Sequence, residues 1–444
     1  MNQDNPTYPQ TAFKFTGILG LLTILAVVTS YQPLAGLVLI LVLVYLGLAY
    51  LVPEKLAWLG LFSVALSPQY VVGAQGLFGI ETSSIHKLVI LAALLPYTLK
   101  YGFREKFNSP ILVYSLILVW TYFIPERHPN LGSLQPIKSF LGLTLGWFVY
   151  MLKWSPKRKY LRSLAWLALV NIAVGVLLYF LGIRGFYATD FTGGFRLNGS
   201  SIAAHLAMLA WIGTAVSMGE VARGKRQYLW LGLANFAIIL ATGTRGATLG
   251  ALFIFLPYGL ESLQHFFQRG RVARAFLLLG LAALLVAVVA MPNFLRRTFI
   301  DNSGAINTSG RYDAWEFFIT EGQEAPWLGR GFGAGTVANV GQVNSAFRVP
   351  HNEYIRMFVD GGLFGAALVL GSFILTFRHI LRNQTGRRRS ALLFMLLGFA
   401  VYSFFDNTLS TTQFSLPFFW YLGIQQSEAW IARGRRQVEE NNER

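Results

Sequence analysis

The sequence predicts an all-α protein, a polytopic bundle of membrane helices. Of its 444 residues, 54% are hydrophobic and only 13% are charged, whereas about a quarter of the residues in a soluble domain are charged. Apolar runs long enough to cross about 30 Å of hydrocarbon recur along the whole chain. The sequence contains no cysteine, which excludes disulfides, thiolate metal sites and cysteine nucleophiles.

The apolar segments define the expected spans. In chain order they are approximately 13–30, 33–51, 56–72, 84–99, 110–124, 136–152, 160–181, 201–218, 226–242, 244–260, 273–291, 353–377, 390–406 and 413–431. Several are short, so we expect about 12–14 spans. The first segment has the look of a signal peptide, but its removal would break the alternation of basic connections, and we interpret it as a retained anchor.

Basic residues cluster in alternate connections between these segments. The clusters are Lys100, Arg104 and Lys106; Lys153, Lys157, Arg158, Lys159 and Arg162; Arg223, Lys225 and Arg226; Arg269, Arg271 and Arg274; Arg387, Arg388 and Arg389; and Arg433, Arg435 and Arg436. The positive-inside rule places these connections and both termini in the cytoplasm. The net charge of +17 is therefore mainly a topology signal. Nucleic-acid binding is the other reading of that charge, but no basic stripe lies on a soluble domain, and we expect no nucleic-acid partner.

Two connections on the predicted outer face are long enough to form a site. The stretch from Met291 to Pro350 is rich in aromatic residues and glycine, and its pattern predicts a short amphipathic helix around 311–322. A second connection runs from Gly182 to Ser200. Loops of such length in a compact protein usually act as lids or binding loops, and we expect these two to fold over one another.

Three arginines belong to this outer face. Arg196 lies in a glycine-rich stretch, Arg245 in a tight turn between two helices, and Arg311 at the start of the predicted amphipathic helix. Guanidinium groups keep their charge and bind phosphate through paired hydrogen bonds, so the three together would form an anion site. The alternatives are that Arg245 snorkels to lipid headgroups and that Arg196 and Arg311 are solvated loop charges.

His351 is the candidate for proton transfer, because an imidazole changes protonation near neutral pH. It opens an apolar helix and is followed by Asn352 and Glu353, which we expect to support it. The alternative is a histidine at a helix cap without chemistry. His205, one turn into another apolar helix, is expected to be packed or bonded to a neighbouring helix.

These residues carry a resemblance to a known family. His351-Asn352, nine residues and then Gly362 resemble the H-[NSQ]-x9-G signature of bacterial O-antigen ligases, and Arg245 with Leu249 is similar to the R-x3-L motif of that family. The blocks Gly310–Trp315 and Pro326–Gly329 resemble the shared domain of the O-antigen ligase and polymerase superfamily. The resemblance covers roughly residues 190–375.

The resemblance implies a GT-C type glycosyltransferase of the bacterial inner membrane. It would move O-antigen glycan from undecaprenyl diphosphate to lipid A–core at the periplasmic face, with inversion and without a nucleotide sugar, metal or other cofactor. Residues 1–180 would then be N-terminal transmembrane helices. Residues 181–380 would be the catalytic region, with the periplasmic loop 292–350, and residues 381–444 the C-terminal helices and cytoplasmic tail.

Under this interpretation His351 is the catalytic base, supported by Asn352 and Glu353, and Arg196, Arg245 and Arg311 bind the diphosphate. A diphosphate leaves readily once its charge is neutralised, so arginines can replace a divalent cation. Three alternatives stay open. The first is a polymerase, or a protein oligosaccharyltransferase, of the same superfamily. The second is an anion transporter, and the third is a scaffold without activity.

The topology can be tested with reporter fusions. We expect fusions at Arg387 and at Gly335 to give opposite readouts, because the basic connections place the first in the cytoplasm and residues 292–350 outside. The measurement is the activity of a reporter that works on only one side of the membrane. The same readout at both positions would contradict the orientation.

Overall fold

The computed structural model describes residues 33–71, 81–104, 108–154, 157–189, 194–269, 311–339 and 349–442. Helices form most of these residues. The α-helices are α1 (Pro33–Leu51), α2 (Pro53–Phe62), α3 (Thr82–Tyr101), α4 (Ser109–Thr121), α5 (Gln135–Met151), α6 (Arg158–Ser163), α7 (Leu167–Phe180), α8 (Ala203–Ala222), α9 (Tyr228–Ala241), α10 (Arg245–Arg269), α11 (Arg311–Gln323), α12 (Glu353–Arg382), α13 (Gly386–Phe405) and α14 (Thr412–Asn442). The predicted segments 13–30 and 273–291 lie outside the described residues.

The helical membrane class is confirmed. Among the described residues, 6 helices are long and apolar enough to cross a membrane, or 7 if the bent pair 40–51 and 53–70 counts as one span. Our prediction of about 12–14 spans is larger than this count. Part of the difference comes from short helices. The 13 residues of α4, for example, reach only about 20 Å at 1.5 Å per residue, less than the hydrocarbon thickness.

The chain divides into two compact units, one formed by residues 1–60 and 90–100 and the other by residues 61–89 and 101–444. In the first unit, the Tyr45 hydroxyl donates to the carbonyl of Ala92 over 2.9 Å. Gly60 packs so closely on Ala93 in the same unit that an added Cβ would lie 2.5 Å from it. The second unit contains every predicted site residue.

Buried aromatic rings and glycines form the core of the second unit. Trp147 of α5 packs on Phe419 of α14 with ring centroids 4.1 Å apart, and the neighbouring Gly146 leaves room for that phenyl ring. Gly250 and Gly398 meet where α10 crosses α13, and a Cβ built on Gly398 would lie 2.3 Å from the Gly250 carbonyl oxygen. Small residues at a crossing let helix backbones approach closely, which brings the ends of α10 and α13 together.

The connection 182–200, predicted to lie on the outer face, contains two short paired strands, here called the hairpin, which the all-helical prediction did not include. Strand β1 (Tyr187–Thr189) pairs antiparallel with β2 (Phe195–Leu197), and Ala188 lies opposite Arg196. The hairpin is anchored after β2, where the backbone N–H of Ser200 donates to the carbonyl and the side chain of Asn171. This anchor fixes Arg196 near the start of α8.

Basic residues from several predicted cytoplasmic connections gather at one end of the second unit. Arg223 pairs with Glu428 at 2.6 Å, and Arg162 pairs with the buried Glu220 at 2.8 Å. Arg387, at the start of α13, pairs with Glu261 of α10. These contacts support the grouping of the connections on one side of the bundle. Which side that is remains a prediction.

A break in α12 connects this helix to the loop that precedes it. Gly362 adopts φ 63° and ψ −168°, a conformation that is almost confined to glycine. The broken helix bonds instead to the loop segment 326–330, where Leu363 N–H donates to the Pro326 carbonyl and Arg330 N–H to the Val359 carbonyl, both at 2.8 Å. Two blocks that carry the family resemblance, one ending at Gly362 and one at Gly329, are therefore docked on each other.

We expect Gly362→Ala to destabilise the protein by at least about 1–3 kcal/mol, because alanine does not tolerate this conformation. The added Cβ would also lie 2.3 Å from the carbonyl carbon of Trp327. Thermal unfolding of the purified protein in detergent measures the effect. Gly371→Ala in the same helix is the matched control, since its Cβ would have no neighbour within 4 Å. Equal melting temperatures for the two variants would contradict the assigned role of Gly362.

Candidate active site

The candidate site lies where α8, α10 and α12 begin and where α9 and α13 end. His351 and Asp406 form its centre. The Nδ1 atom of His351 lies 3.4 Å from Oδ1 of Asp406, at the long end of hydrogen-bonding distance. The His351 side chain is 31% exposed and that of Asp406 only 7%, so the imidazole faces outward and the carboxylate lies behind it.

Asp406 is held in its charged form. Burial raises the pKa of this carboxyl group, but the hydrogen bond and charge of His351, with the charge of Arg311 and the N–H of Asn407, outweigh it. The result is a pKa below the ordinary value. The stabilisation that charged Asp406 contributes is therefore complete above about pH 4 and is lost only as the pH falls through the lower folded pKa.

The backbone of His351 is constrained by the start of α12. His351 has φ 47°, in the left-handed region that few residues other than glycine occupy, and such strain is often found at functional sites. The helix cap is Asn352, whose side chain accepts from the N–H groups of Tyr354 and Ile355 at 2.9 and 3.1 Å. The cap is therefore Asn352 and not His351, whose side chain lies near Asp406; the chemical role of His351 stays a prediction.

Glu353 joins the two sequence segments that carry the central pair. Its side chain is buried, and Oε1 accepts from the N–H groups of Leu409 and Ser410 at 2.7 and 3.3 Å. The other oxygen lies 3.2 Å from the guanidinium of Arg356. Glu353 thus holds the connection that follows Asp406 against the start of α12. Asn352 and Glu353 therefore occupy supporting positions, and their functional role stays a prediction.

A second acidic contact extends this network into the segment that precedes α12. Asp360 accepts from the N–H of Gly335 at 2.8 Å and lies 3.8 Å from Nε of Arg356. Arg356 and Asp360 are 3% and 5% exposed. Buried charges are tolerated when they are paired and hydrogen-bonded, so this network holds the loop against α12.

Arg245 lies at the predicted tight turn between two helices. The turn consists of Thr242, Gly243 and Thr244, with Gly243 at φ 65°, and α10 begins at Arg245. Gly246 packs against Phe405, and its Cβ would lie 2.4 Å from that of Phe405. Since Phe405 is the residue before Asp406, the first turn of α10 lies beside the end of α13.

Arg196 reaches the same turn from the hairpin. Its Nε donates to the carbonyl of Thr242 at 2.9 Å, and Nη2 donates to the hydroxyl of Thr244 at 3.3 Å. Arg196 is therefore not a solvated loop charge. Arg196 therefore contacts the turn that Arg245 directly follows, so two of the three predicted arginines meet at one short turn.

Arg311 is the first residue of α11, and this helix lies where the amphipathic helix around 311–322 was predicted. Trp315, one turn later, donates from its indole N–H to the carbonyl of Pro350 at 2.9 Å and packs edge-on against Phe404. These contacts tether α11 both to the residue before His351 and to the end of α13. The charge of Arg311 acts on Asp406.

The structure thus brings all the predicted site residues to one end of the second unit. One residue of the central pair was missed in the sequence. Asp406 ends a predicted span, but it lies 55 residues from His351, and no local pattern links them. His205 was expected to pack or bond to a neighbour, and its Nδ1 lies 3.1 Å from the Tyr70 hydroxyl.

This arrangement suits the transfer of a proton beside an anion. A carboxylate behind an imidazole fixes the orientation of the ring and stabilises its protonated form. Arginines at helix starts and turns provide fixed positive charge that needs no rearrangement during reaction. A hydroxyl group activated at His351 would therefore lie close to groups able to hold a phosphate.

Comparison with known proteins supports this interpretation. Residues 228–370 match the family described as O-antigen ligase, and this range includes Arg245, Arg311 and His351 but neither Arg196 nor Asp406. No curated protein matched the sequence. The family resemblance predicted from the motifs is confirmed by this match, which covers about a third of the chain.

Proposed function

We propose that this protein is a lipopolysaccharide O-antigen ligase. It moves O-antigen glycan from undecaprenyl diphosphate to lipid A–core at the periplasmic face of the bacterial inner membrane. The observation that carries the proposal is the His351–Asp406 pair beside an arginine cluster. The family match supports the coarser statement, a membrane glycosyltransferase-type enzyme of the ligase and polymerase class.

The proposed reaction is a single displacement. The acceptor hydroxyl attacks the anomeric carbon of the donor sugar and passes its proton to His351, while the bond between that carbon and the diphosphate oxygen breaks. The diphosphate leaves with the bonding electrons, and Arg196, Arg245 and Arg311 neutralise its charge. Attack opposite the leaving group inverts the anomeric centre. Asp406 stabilises the imidazolium that forms.

Polymerases and protein oligosaccharyltransferases of the same superfamily would use the same donor half of this site. They differ in the acceptor, which is a second lipid-linked glycan or a protein side chain. An arginine cluster also suits an anion transporter, but anion transport does not require a general base such as His351 next to the arginines. The acceptor therefore decides among these functions.

The test is a transfer assay with purified protein, lipid-linked glycan donor and excess EDTA. We expect transfer to lipid A–core, and we expect His351→Ala to lower the rate by about 10²–10⁴-fold, the usual contribution of a general base. Donor binding should persist in the variant.

Transfer only to a second lipid-linked glycan would assign a polymerase. A variant that retains more than about a tenth of the rate would remove His351 from the base role, and turnover restored only by a divalent ion would refute metal independence.

Asp406→Asn should lower kcat by about 10²-fold with little change in either KM, because the base remains but loses its oriented and charged partner. Since the pKa of Asp406 lies below the ordinary range, this carboxylate stays charged at both pH 6 and pH 8, and the variant should be impaired at both values. Steady-state kinetics at the two pH values measure it. A loss confined to one pH, or a changed melting temperature that accounts for the loss, would contradict this role.

Arg245→Lys should lose most activity although the positive charge is kept, because a guanidinium fork and an ammonium group bind phosphate differently. The expected change is a higher KM for the lipid-diphosphate donor and a lower kcat. Arg389→Lys, in a predicted cytoplasmic connection, is the matched control and should leave both constants unaltered. Normal activity of the Arg245 variant would show that Arg245 is an arginine that snorkels at a helix end.

A further inference from the structure

A cleft lies between α8, α10, α13 and α14, at the end of the second unit that carries the predicted cytoplasmic connections. Its empty space is about 350 Å³, including the part that opens to the surface. Its lining includes the apolar side chains of Met218, Ile254 and Leu392. Two arginines, Arg223 and Arg388, line it as well. The proposed reaction uses none of these residues.

Arg223 is a buried cation whose hydrogen-bonding capacity is only partly used. Its side chain is 2% exposed, and Nη2 donates to the side chains of Gln425 and Glu428, both at 2.6 Å. Nη1 is buried too, but within the described residues it makes no hydrogen bond, and its ion-pair partner Glu220 lies 3.7 Å away. A buried donor without an acceptor is costly, so an acceptor atom in the cleft would stabilise Arg223.

The carboxylates near the cleft are shared with further arginines. Glu428 also pairs with Arg158 at 3.7 Å, and Glu220 pairs with Arg162 at 2.8 Å. With the two arginines that line the cleft, four guanidinium groups meet two carboxylates in this cluster. The cluster therefore keeps an excess of positive charge that the protein does not neutralise there.

Arg388 is the arginine of this cluster that a ligand can reach. Its side chain is exposed, and within the described part of the chain it forms neither a hydrogen bond nor an ion pair. The charges of Arg223 and Arg158 act on it more strongly than that of Glu428. Arg388 also lies in the first turn of α13, which the side chain of Thr385 does not cap, so the positive end of the helix dipole adds to this field.

The surroundings of the cleft favour a lipid over a soluble anion. Its lining combines arginines with apolar side chains, as a phospholipid combines a phosphate with acyl chains. Arg223 directly follows α8 and Arg388 lies at the start of α13, and both helices are long and apolar enough to cross a membrane. Arginines at the ends of such helices lie at the level of the lipid headgroups, and basic pockets between helices on the cytoplasmic side bind anionic headgroups.

We propose that this cleft binds the phosphate of an anionic membrane phospholipid. Arg388 holds the phosphate at the surface, and Nη1 of Arg223 donates to one of its oxygens from the interior. The bound anion offsets part of the excess charge where α8, α13 and α14 meet. This site is separate from the one proposed for glycan transfer and does not depend on that function.

The test is a lipid titration of the purified full-length protein in uncharged detergent. A ligand of the folded state raises the melting temperature by mass action, and we expect phosphatidylglycerol to raise it at concentrations at which phosphatidylcholine does not. Arg388→Gln should require about fivefold more phosphatidylglycerol for the same rise, the usual contribution of one basic residue near a lipid surface. Arg389→Gln is the matched control, because it removes the same charge from the neighbouring residue, which does not line the cleft.

We expect Arg389→Gln to titrate like the wild type. Without lipid, both variants should melt at the wild-type temperature, since Arg388 forms no ion pair within the described residues. Equal weakening in the two variants would assign the lipid effect to the general charge of the surface and overturn the proposal. Equal stabilisation by the two lipids would overturn it as well.

Inorganic phosphate, added without lipid at matched ionic strength, distinguishes the two sources of a phosphate group. We expect it to leave the melting temperature unchanged. A rise of the wild-type size that disappears in Arg388→Gln but not in Arg389→Gln would assign the cleft to a soluble phosphate and would refute the lipid.

Discussion

The buried carboxylate of Glu353 is the contact on which the geometry of the site depends. It accepts from the backbone after Asp406 while its own backbone lies two residues after His351. One side chain therefore sets the separation of an imidazole and a carboxylate that are far apart in the sequence. Because Glu353 is enclosed and paired with Arg356, its removal would leave that buried guanidinium with only Asp360 as its carboxylate partner and would release the connection after Asp406.

The surrounding helices explain why this contact is precise enough for chemistry. Gly246 allows α10 to touch the residue before Asp406, and Trp315 ties α11 to the residue before His351. Each predicted arginine therefore belongs to an element that is anchored near the central pair. The positive groups are preorganised, and little motion is needed to bring charge to a departing anion.

Local patterns in the sequence predicted the local features. The turn before Arg245 and the helix from Arg311 both follow from residue types within a few positions, whereas the cap of α12 is Asn352 and not His351, the cap considered in the sequence. The apolar composition predicted the helical membrane class. The number of spans stays a prediction, because two of the predicted segments lie outside the described residues and several others form helices that are short for a span. The family motifs pointed to His351 and Gly362 without showing what either residue does.

The features that escaped prediction depend on contacts between distant segments. Asp406 has ordinary neighbours in the sequence, and only the packing of α12 and α13 places it beside His351. The pairing of β1 with β2 could not be predicted either, since strands of three residues are too short to show a periodic pattern. A single sequence contains no local signal for such pairings.

The break at Gly362 also constrains how the chain enters a membrane. A helix interrupted in hydrocarbon exposes backbone N–H and carbonyl groups that lipid cannot satisfy, and each costs several kcal/mol. Here the partner groups belong to residues 326–330, which leave the ribosome before α12 does. The loop is therefore synthesised in time to receive the broken helix. A circular permutant that made α12 first would have to hold those groups unpaired until the loop arrived.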